Sequence, residues 1–189
     1  VFSVPCNQRV IPSYALDAAP ADGVELGRLV LLDEVEANGE SWFVARAWRL
    51  VREVLGVTIL VSYADPVQRI KASGEVVMPG HVGTVYQATN ALYLGRGSPR
   101  KLYLTPDAQV VSERSLSKIR QGSRGKEYAE AQLARNTGLV RRPGESGEAY
   151  VTRCVKELRT VRHPGNHVYL WGPRGVRTPD PQPYPKLTM

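Results

Sequence analysis

The residues best suited to chemistry lie in two stretches of the first half of the chain. One is Ser62-Tyr63-Ala64-Asp65-Pro66, followed by His81, Tyr86 and Asn90 within some thirty residues. A carboxylate at a strand end can accept a proton, orient a nucleophilic amine or bind a metal; it can equally cap the turn before a proline. Both roles are open to Asp65. A histidine and a tyrosine hydroxyl are suitable proton carriers, and Tyr86 and Asn90, spaced i and i+4, are expected on one helix face. The other stretch is Asn38-Gly39-Glu40-Ser41. At a helix start its free N–H groups and the positive end of the helix dipole could hold a phosphate or pyrophosphate, with Gly39 allowing close approach and Ser41 adding a donor. Simple capping, by Asn38 or by the Glu40 side chain, explains the same residues.

These side chains need a scaffold. Gly27–Leu32, in LGRLVLLDE, reads as a short buried strand. EANGESW then leads into FVARAWRLVREVLG, a helix capped by Asn38 and ended by Gly56, with Phe43, Ala47, Leu50, Val51 and Val54 on its apolar face. VTILVSYADP follows as a β-branched strand. Strand, polar turn, helix and strand make one crossover, which implies two parallel strands and a ligand crevice beyond their carboxyl ends. Val67–Pro79 reads as an insertion, and GHVGTVYQATNALYLG as a short helix after Gly83 that Gly95 closes. In the second half LYLTPDAQVVS reads as a hairpin or strand pair. A helix from Ser112 to Arg120 and another from Lys126 to Asn136 follow. GEAYVTRCVKELRTV reads as an amphipathic helix with Val151, Cys154, Val155, Leu158 and Val161 on one face. HVYLW is the last strand, and the five prolines after Gly172 predict an extended or disordered tail.

Composition narrows the class. In 189 residues, 42% are hydrophobic and 23% charged, as in an ordinary soluble globular protein. No apolar run approaches the roughly 20 residues of a membrane span, and Val1–Val10 lacks the layout of a signal peptide, so a cytoplasmic protein without a membrane partner is expected. Cys6 and Cys154 stand far apart and read as two reduced thiols; the three histidines do not alternate with Cys or carboxylates at zinc spacings. The net charge of +7 is lopsided: residues 1–95 carry 7 Lys/Arg against 10 Asp/Glu, and residues 96–189 carry 18 against 8. A surplus confined to one half is the footprint of a polyanion-binding face. Arg114, Lys118, Arg120, Arg124 and Lys126 are the closely spaced candidates to hold a polyanion's backbone. The alternative for them is a solvated helix face.

LGRLVLLDEVEANGESWFVARAWRL, VSYADP and GHVGTVYQATNALYLG together resemble the core of Mom-type phage proteins, across roughly residues 24–104. HPGNHVYLWG is similar to that family's closing strand, and residues 105–160 match loosely. The resemblance implies an α/β (mixed α+β) chain of the GNAT-like acyltransferase fold: three layers, with a central mixed sheet flanked by helices. It implies GNAT elements ahead of the strand at 27–32, of which VFSVPCNQRV supplies at most the last piece, so the N-terminal elements are expected to be lacking. Residues 1–171 would form this domain and 172–189 the Pro-rich extended tail.

The implied function is a phage transferase that converts DNA adenine to its N6-carbamoylmethyl form and so evades host restriction, in the cytoplasm of the infected cell. Double-stranded DNA and acetyl-CoA are the implied partners. Asn38, Gly39, Glu40 and Ser41 would line the acetyl-CoA pyrophosphate site, and Ser62, Tyr63, Asp65, His81, Tyr86 and Asn90 the reaction centre. The family has a proposed iron requirement, for which Asp65, His81 and Tyr86 would be ligands. In place of the usual direct step from the ADP segment to the GH segment stands the insertion with Arg69 and Lys71, expected as a lid or a DNA-contacting loop. Adenine N6 is buried in a duplex, so such an enzyme would flip the base or use unpaired DNA. Two other functions fit parts of the pattern: a GNAT acetyltransferase for a small amine or protein, and a non-catalytic DNA-binding phage protein.

Overall fold

The computed structural model describes residues 1–32, 34–36 and 38–186. Asp33, Ala37 and the last three residues of the expected tail lie outside the described residues. The chain divides into two compact units. The first comprises Val1–Pro66, Gly80–Ser98 and the chain from Gly165; the second comprises Val67–Pro79 and Pro99–Pro164.

The first unit is built on a five-stranded mixed sheet. Its strands are β1 (Phe2–Ser3), β2 (Gly23–Leu26), β3 (Ile59–Ala64), β6 (Leu92–Arg96) and β9 (His167–Trp171), in the spatial order β1-β2-β3-β9-β6. β2 and β3 are parallel, with Leu26 opposite Ser62, and the other pairs are antiparallel. The expected strand–helix–strand crossover and its parallel pair are present, and the chain has the mixed α/β class. The first strand is displaced, however. Val24 and Leu26 are buried whereas Val30 and Leu32 are exposed, so β2 ends before the apolar run at 29–32 begins. The expected strand at 27–32 fits by composition alone, while the sheet uses the four residues before it, Gly23–Leu26.

Helix α2 (Gly39–Leu55) supplies the crossover; Gly56 ends it in a left-handed conformation with its N–H on the Arg52 carbonyl. Its buried face differs from the expected one. Val44 is buried, and Trp48 and Val51 pack on the same cluster, while Phe43, Leu50 and Val54 are exposed. Apolar residues surround much of this helix, so periodicity offered two faces, and packing against Leu26, Leu60 and Tyr86 selected one. On β3, Leu60 and Ala64 face this cluster, whereas Ile59 and Val61 face a second one with Ile11 and Ala15 at α1 (Val10–Tyr14). Helices therefore cover both faces of the sheet.

A short helix follows Gly83 as expected, but α3 (Thr84–Ala88) stops early and residues 92–96 form β6. Asn90, at φ 58°, breaks the helix between them. The segment after Gly172 has no helix or strand through Lys186, yet it is held: Gln182 donates its N–H to the Tyr93 carbonyl, and the Tyr184 hydroxyl donates to that of Ala91 at 2.8 Å.

In the second unit the insertion forms a small hairpin, β4 (Arg69–Ile70) with β5 (Val76–Met78). β7 (Arg100–Leu104) pairs antiparallel with β8 (Arg159–His163). Helices α4 (Glu113–Gln121), α5 (Lys126–Thr137) and α6 (Gly147–Val155) enclose a core of Leu116, Ile119, Leu133, Tyr150, Val151 and Cys154. Helix α6 is shorter than its pattern suggested. Val161 belongs to β8, opposite Leu102, because pairing with β7 takes over where the helix stops. The Ser146 hydroxyl caps α6 through the Ala149 N–H at 3.1 Å; Ser112 stands at the start of α4 without a side-chain cap bond. Cys6 and Cys154 are both free thiols. Among the described residues no helix is long and apolar enough to cross a membrane.

Candidate active site

In a sheet with parallel strands, side chains and loops converge beyond the carboxyl ends of those strands. A cleft of about 480 Å³ lies there, past the ends of β2 and β3. Gly27, Arg28 and Leu29 line it from the loop after β2, Tyr63 from β3, and Glu40 from the first turn of α2. His81, Gly83 and Tyr86 complete the other side. Tyr63, His81, Tyr86 and Glu40, four of the expected site residues, thus meet in one place.

The remainder are distributed differently. Ser62 lies beneath the cleft, fully buried, with its hydroxyl donating to the Leu26 carbonyl at 2.8 Å. Burial holds the Tyr86 hydroxyl above its ordinary range, the Ser62 hydroxyl beside it works the other way, and the Glu40 charge adds a small upward push. Tyr63 is also pushed up, chiefly by burial, with Tyr14 and Glu25 contributing. Both phenols therefore keep their protons at neutral pH and act as hydrogen-bond donors. Asp65 does not line the cleft; its backbone carbonyl accepts the N–H of His81 at 2.8 Å and so fixes where the imidazole enters.

Asn90 does not share a face with Tyr86, since α3 ends at Ala88. It lines a second cleft, of about 430 Å³, together with Asn38 and Ser41. Glu40 and Ser41, neighbours at the start of α2, thus look into different clefts. The turn before α2 spends much of what it was expected to offer a ligand. The Gly39 N–H donates to the Glu36 carbonyl, and the Ser41 hydroxyl donates to that of Asn38 at 3.0 Å. A Cβ on residue 39 would come within 2.3 Å of Val35 Cγ1, so the open side of this glycine is filled by the chain itself. Asn38 occupies the cap position at φ 72° but its side chain makes no capping bond. The Glu40 carboxylate, in the first turn of α2, opposes an anion at this helix start.

Gly83 is placed by necessity. Its φ is +77°, and a Cβ there would stand 2.6 Å from Tyr169 Cε2 and 2.9 Å from Tyr86 Cδ2. The ring behind it belongs to a row that the sequence reading did not single out. Tyr86, Tyr169 and Tyr93 stand with successive ring centroids 5.3 Å apart, and the Tyr93 hydroxyl meets His167 Nδ1 at 2.8 Å. Tyr169 is held up at about 12 by burial first, and its hydroxyl donates to the Val82 carbonyl. The row packs behind Gly83 and positions Tyr86. Its signal was the alternation in HVYLW, which places Tyr169 and Trp171 on the α2 face.

Of the three expected iron ligands, His81 and Tyr86 line the first cleft and Asp65 does not. The Tyr86 hydroxyl sits with Ser62. Among the described residues no group of three or more His, Cys, Asp or Glu side chains could hold a metal ion.

The charge asymmetry persists in the fold. The second unit carries 16 Lys/Arg against 8 Asp/Glu, a balance of +8, while the first carries 9 against 10. Arg114 and Lys118 are one turn apart on α4, and Arg124 and Lys126 follow in the turn to α5. A Cβ on Gly125 would lie 3.5 Å from Lys118 Nζ, so that ammonium reaches the same turn. Arg120 is committed elsewhere, to Glu113 at 2.6 Å and Glu148 at 3.3 Å. Arg69, Arg100 and Lys101 of the same unit join Tyr103 around a cleft of about 520 Å³, a second cationic surface that sequence spacing did not reveal.

The sequence model of the Mom protein family matches residues 1–160. The chain belongs to the Mom protein family. Membership makes it a phage DNA modification protein. The match spans β1 through the start of β8, so it includes the lining of the first cleft and the basic helices of the second unit. Among curated proteins none matches this Mom-family chain.

Proposed function

We propose that this chain is a DNA-modifying transferase that places a carbamoylmethyl group on N6 of adenine, on a GNAT-like frame, and so shields phage DNA from restriction. The observation that carries the reading is the meeting of Tyr63, His81 and Tyr86 in one cleft at the carboxyl ends of a parallel strand pair, in a chain of this family. Adding a substituent to an exocyclic amine requires that N6 lose a proton while the transferred group is held still. His81 is the imidazole that enters the cleft and takes the role of proton acceptor. Tyr63, kept protonated, donates a hydrogen bond to oxygen on the incoming group, and Tyr86, whose hydroxyl sits with Ser62, shapes the wall against which that group is held. Ser62 orients Tyr86 from below.

Acetyl-CoA is proposed as a partner at the start of α2. The start of the helix at Glu40 and Ser41 would hold one of its phosphates, with Asn38 and Gly39 shaping the turn. DNA, double-stranded in the phage genome, is proposed to lie against Arg114, Lys118, Arg124 and Lys126, with Arg120 available once its carboxylate pairs open. Asp65 is proposed to act through the His81 backbone, and Asn90 from the second cleft.

Nucleoside mass spectrometry on DNA from cells expressing the full chain tests the reading. The expected product is deoxyadenosine heavier by one carbamoylmethyl group, lost with His81→Ala and strongly reduced with Tyr86→Phe. Unmodified adenine in cells holding soluble protein refutes it.

A further inference from the structure

The chain has three tryptophans, at positions 42, 48 and 171, and all three line the same cleft. It is the cleft of about 430 Å³ on the far side of the α2 start from His81 and Tyr63. Trp42 and Trp48 come from α2, and Trp171 closes β9. Tryptophan carries the largest aromatic surface of any side chain and is ordinarily well covered. Trp42 is instead 57% exposed, and it is held in place by the Arg46 guanidinium 3.8 Å over its ring. Trp171 is fixed by its N–H, which donates to the carbonyl and hydroxyl of Thr89 at 3.2 Å. Its ring also stands edge-on to Tyr86, with centroids 5.5 Å apart. The tryptophan cleft and the candidate active site therefore share a wall.

Two amides face this aromatic lining. Asn38 and Asn90 both line the cleft, both adopt positive φ, and neither side chain is engaged by another described residue. Flat aromatic walls with free amides at the edge are the means by which proteins hold an unpaired base. Stacking supplies sequence-tolerant affinity, and an asparagine amide pairs with N6 and N7 of adenine.

We propose that the tryptophan cleft binds an adenine ring, stacked on the indoles and read at its edge by Asn38 and Asn90. Two sources present that ring: a base lifted out of DNA, and the adenine of a nucleotide cofactor such as coenzyme A. The choice of adenine rests on the proposed function; the provision for a planar base rests on the cleft alone.

The tryptophan fluorescence of the full chain reports this cleft directly, since no indole lies elsewhere. The titrants are a single-stranded thymidine oligonucleotide with one central dA, the same oligonucleotide with an abasic site there, and coenzyme A. Quenching by the dA oligonucleotide over the abasic one assigns the cleft to a DNA base, and quenching by coenzyme A assigns it to cofactor adenine. In either case the dissociation constant is expected to rise about tenfold or more in Trp42→Ala, as for loss of one stacking platform. It is also expected to rise in Asn90→Gly, which removes the amide without straining the left-handed backbone. Equal response to the dA and abasic oligonucleotides with none to coenzyme A overturns the proposal, as does binding unchanged by Trp42→Ala. The two readings fail separately. Absent DNA modification with Trp42-dependent binding refutes the proposed function and leaves the base site; modification in cells with no adenine-dependent quenching does the reverse.

Discussion

Gly83→Ala concentrates the geometry of the candidate site into one methyl group. An alanine at φ +77° pays the left-handed backbone cost of roughly 1–2 kcal/mol. The new Cβ then stands 2.6 Å from Tyr169 and 2.9 Å from Tyr86, two buried rings that cannot swing aside as a surface side chain would. Overpacking of that kind costs about 1–3 kcal/mol, so the total is about 2–5 kcal/mol. Gly56→Ala is the internal control, because Gly56 has φ +68° and nothing within 4 Å of its missing Cβ. It isolates the backbone share of roughly 1–2 kcal/mol in the same unit. Urea unfolding followed by tryptophan fluorescence reads that unit, which holds all three indoles. With a slope of about 2 kcal/mol per molar, the midpoint falls by about 1–2.5 M for Gly83→Ala and by about 0.5–1 M for Gly56→Ala. The displaced Tyr86 ring further predicts that Gly83→Ala loses more DNA modification than stability alone explains. Equal midpoint shifts for the two variants would refute the contact between residue 83 and the tyrosine row, and with it the account of how Tyr86 is positioned.

Val44→Ala is expected to cost about 2 kcal/mol because Val44 is buried under α2, whereas Leu50→Ala, on the exposed face, stays within about 0.5 kcal/mol; thermal melts showing the reverse order would restore the face expected from periodicity. His167 is nearly fully buried, and burial first, then Arg96 and His81, holds its pKa below the ordinary 6.5. The unfolded chain therefore binds the proton more readily, so the stability tied to neutral His167 is complete above about pH 6.5 and is lost as pH falls through that value toward the lowered one. Melting temperatures between pH 8 and pH 5 should fall less steeply in His167→Gln than in the parent; parallel profiles would show that the imidazole is not buried neutral.

How much of this was legible in the sequence depended on how local each cause was. The parallel crossover, the α2 boundaries at Asn38 and Gly56, the helix after Gly83 and the final strand all follow from short-range rules. Turn residues, β-branched runs and caps act within a few positions, and no distant contact is needed to read them. The charge surplus of the second half is a sum over residue types, and it survives folding unchanged. The grouping of Tyr63, His81 and Tyr86 was approachable for the same reason: strand ends and helix starts of one crossover must converge.

Tertiary structure decided what local rules leave degenerate. Helix α2 is apolar on two sides, and only the sheet beneath it chose Val44 over Leu50. The run at 27–32 matches a strand as well as 23–26 does, and pairing with β1 and β3 selected the latter. Asn90 lies beyond the end of α3 and is itself left-handed, which moved it to another cleft. The meeting of Trp42, Trp48 and Trp171 joins positions more than a hundred residues apart along the chain, so no spacing rule could have found it. It exists because β9 returns beside β3 and carries Trp171 to the face of the sheet that α2 covers.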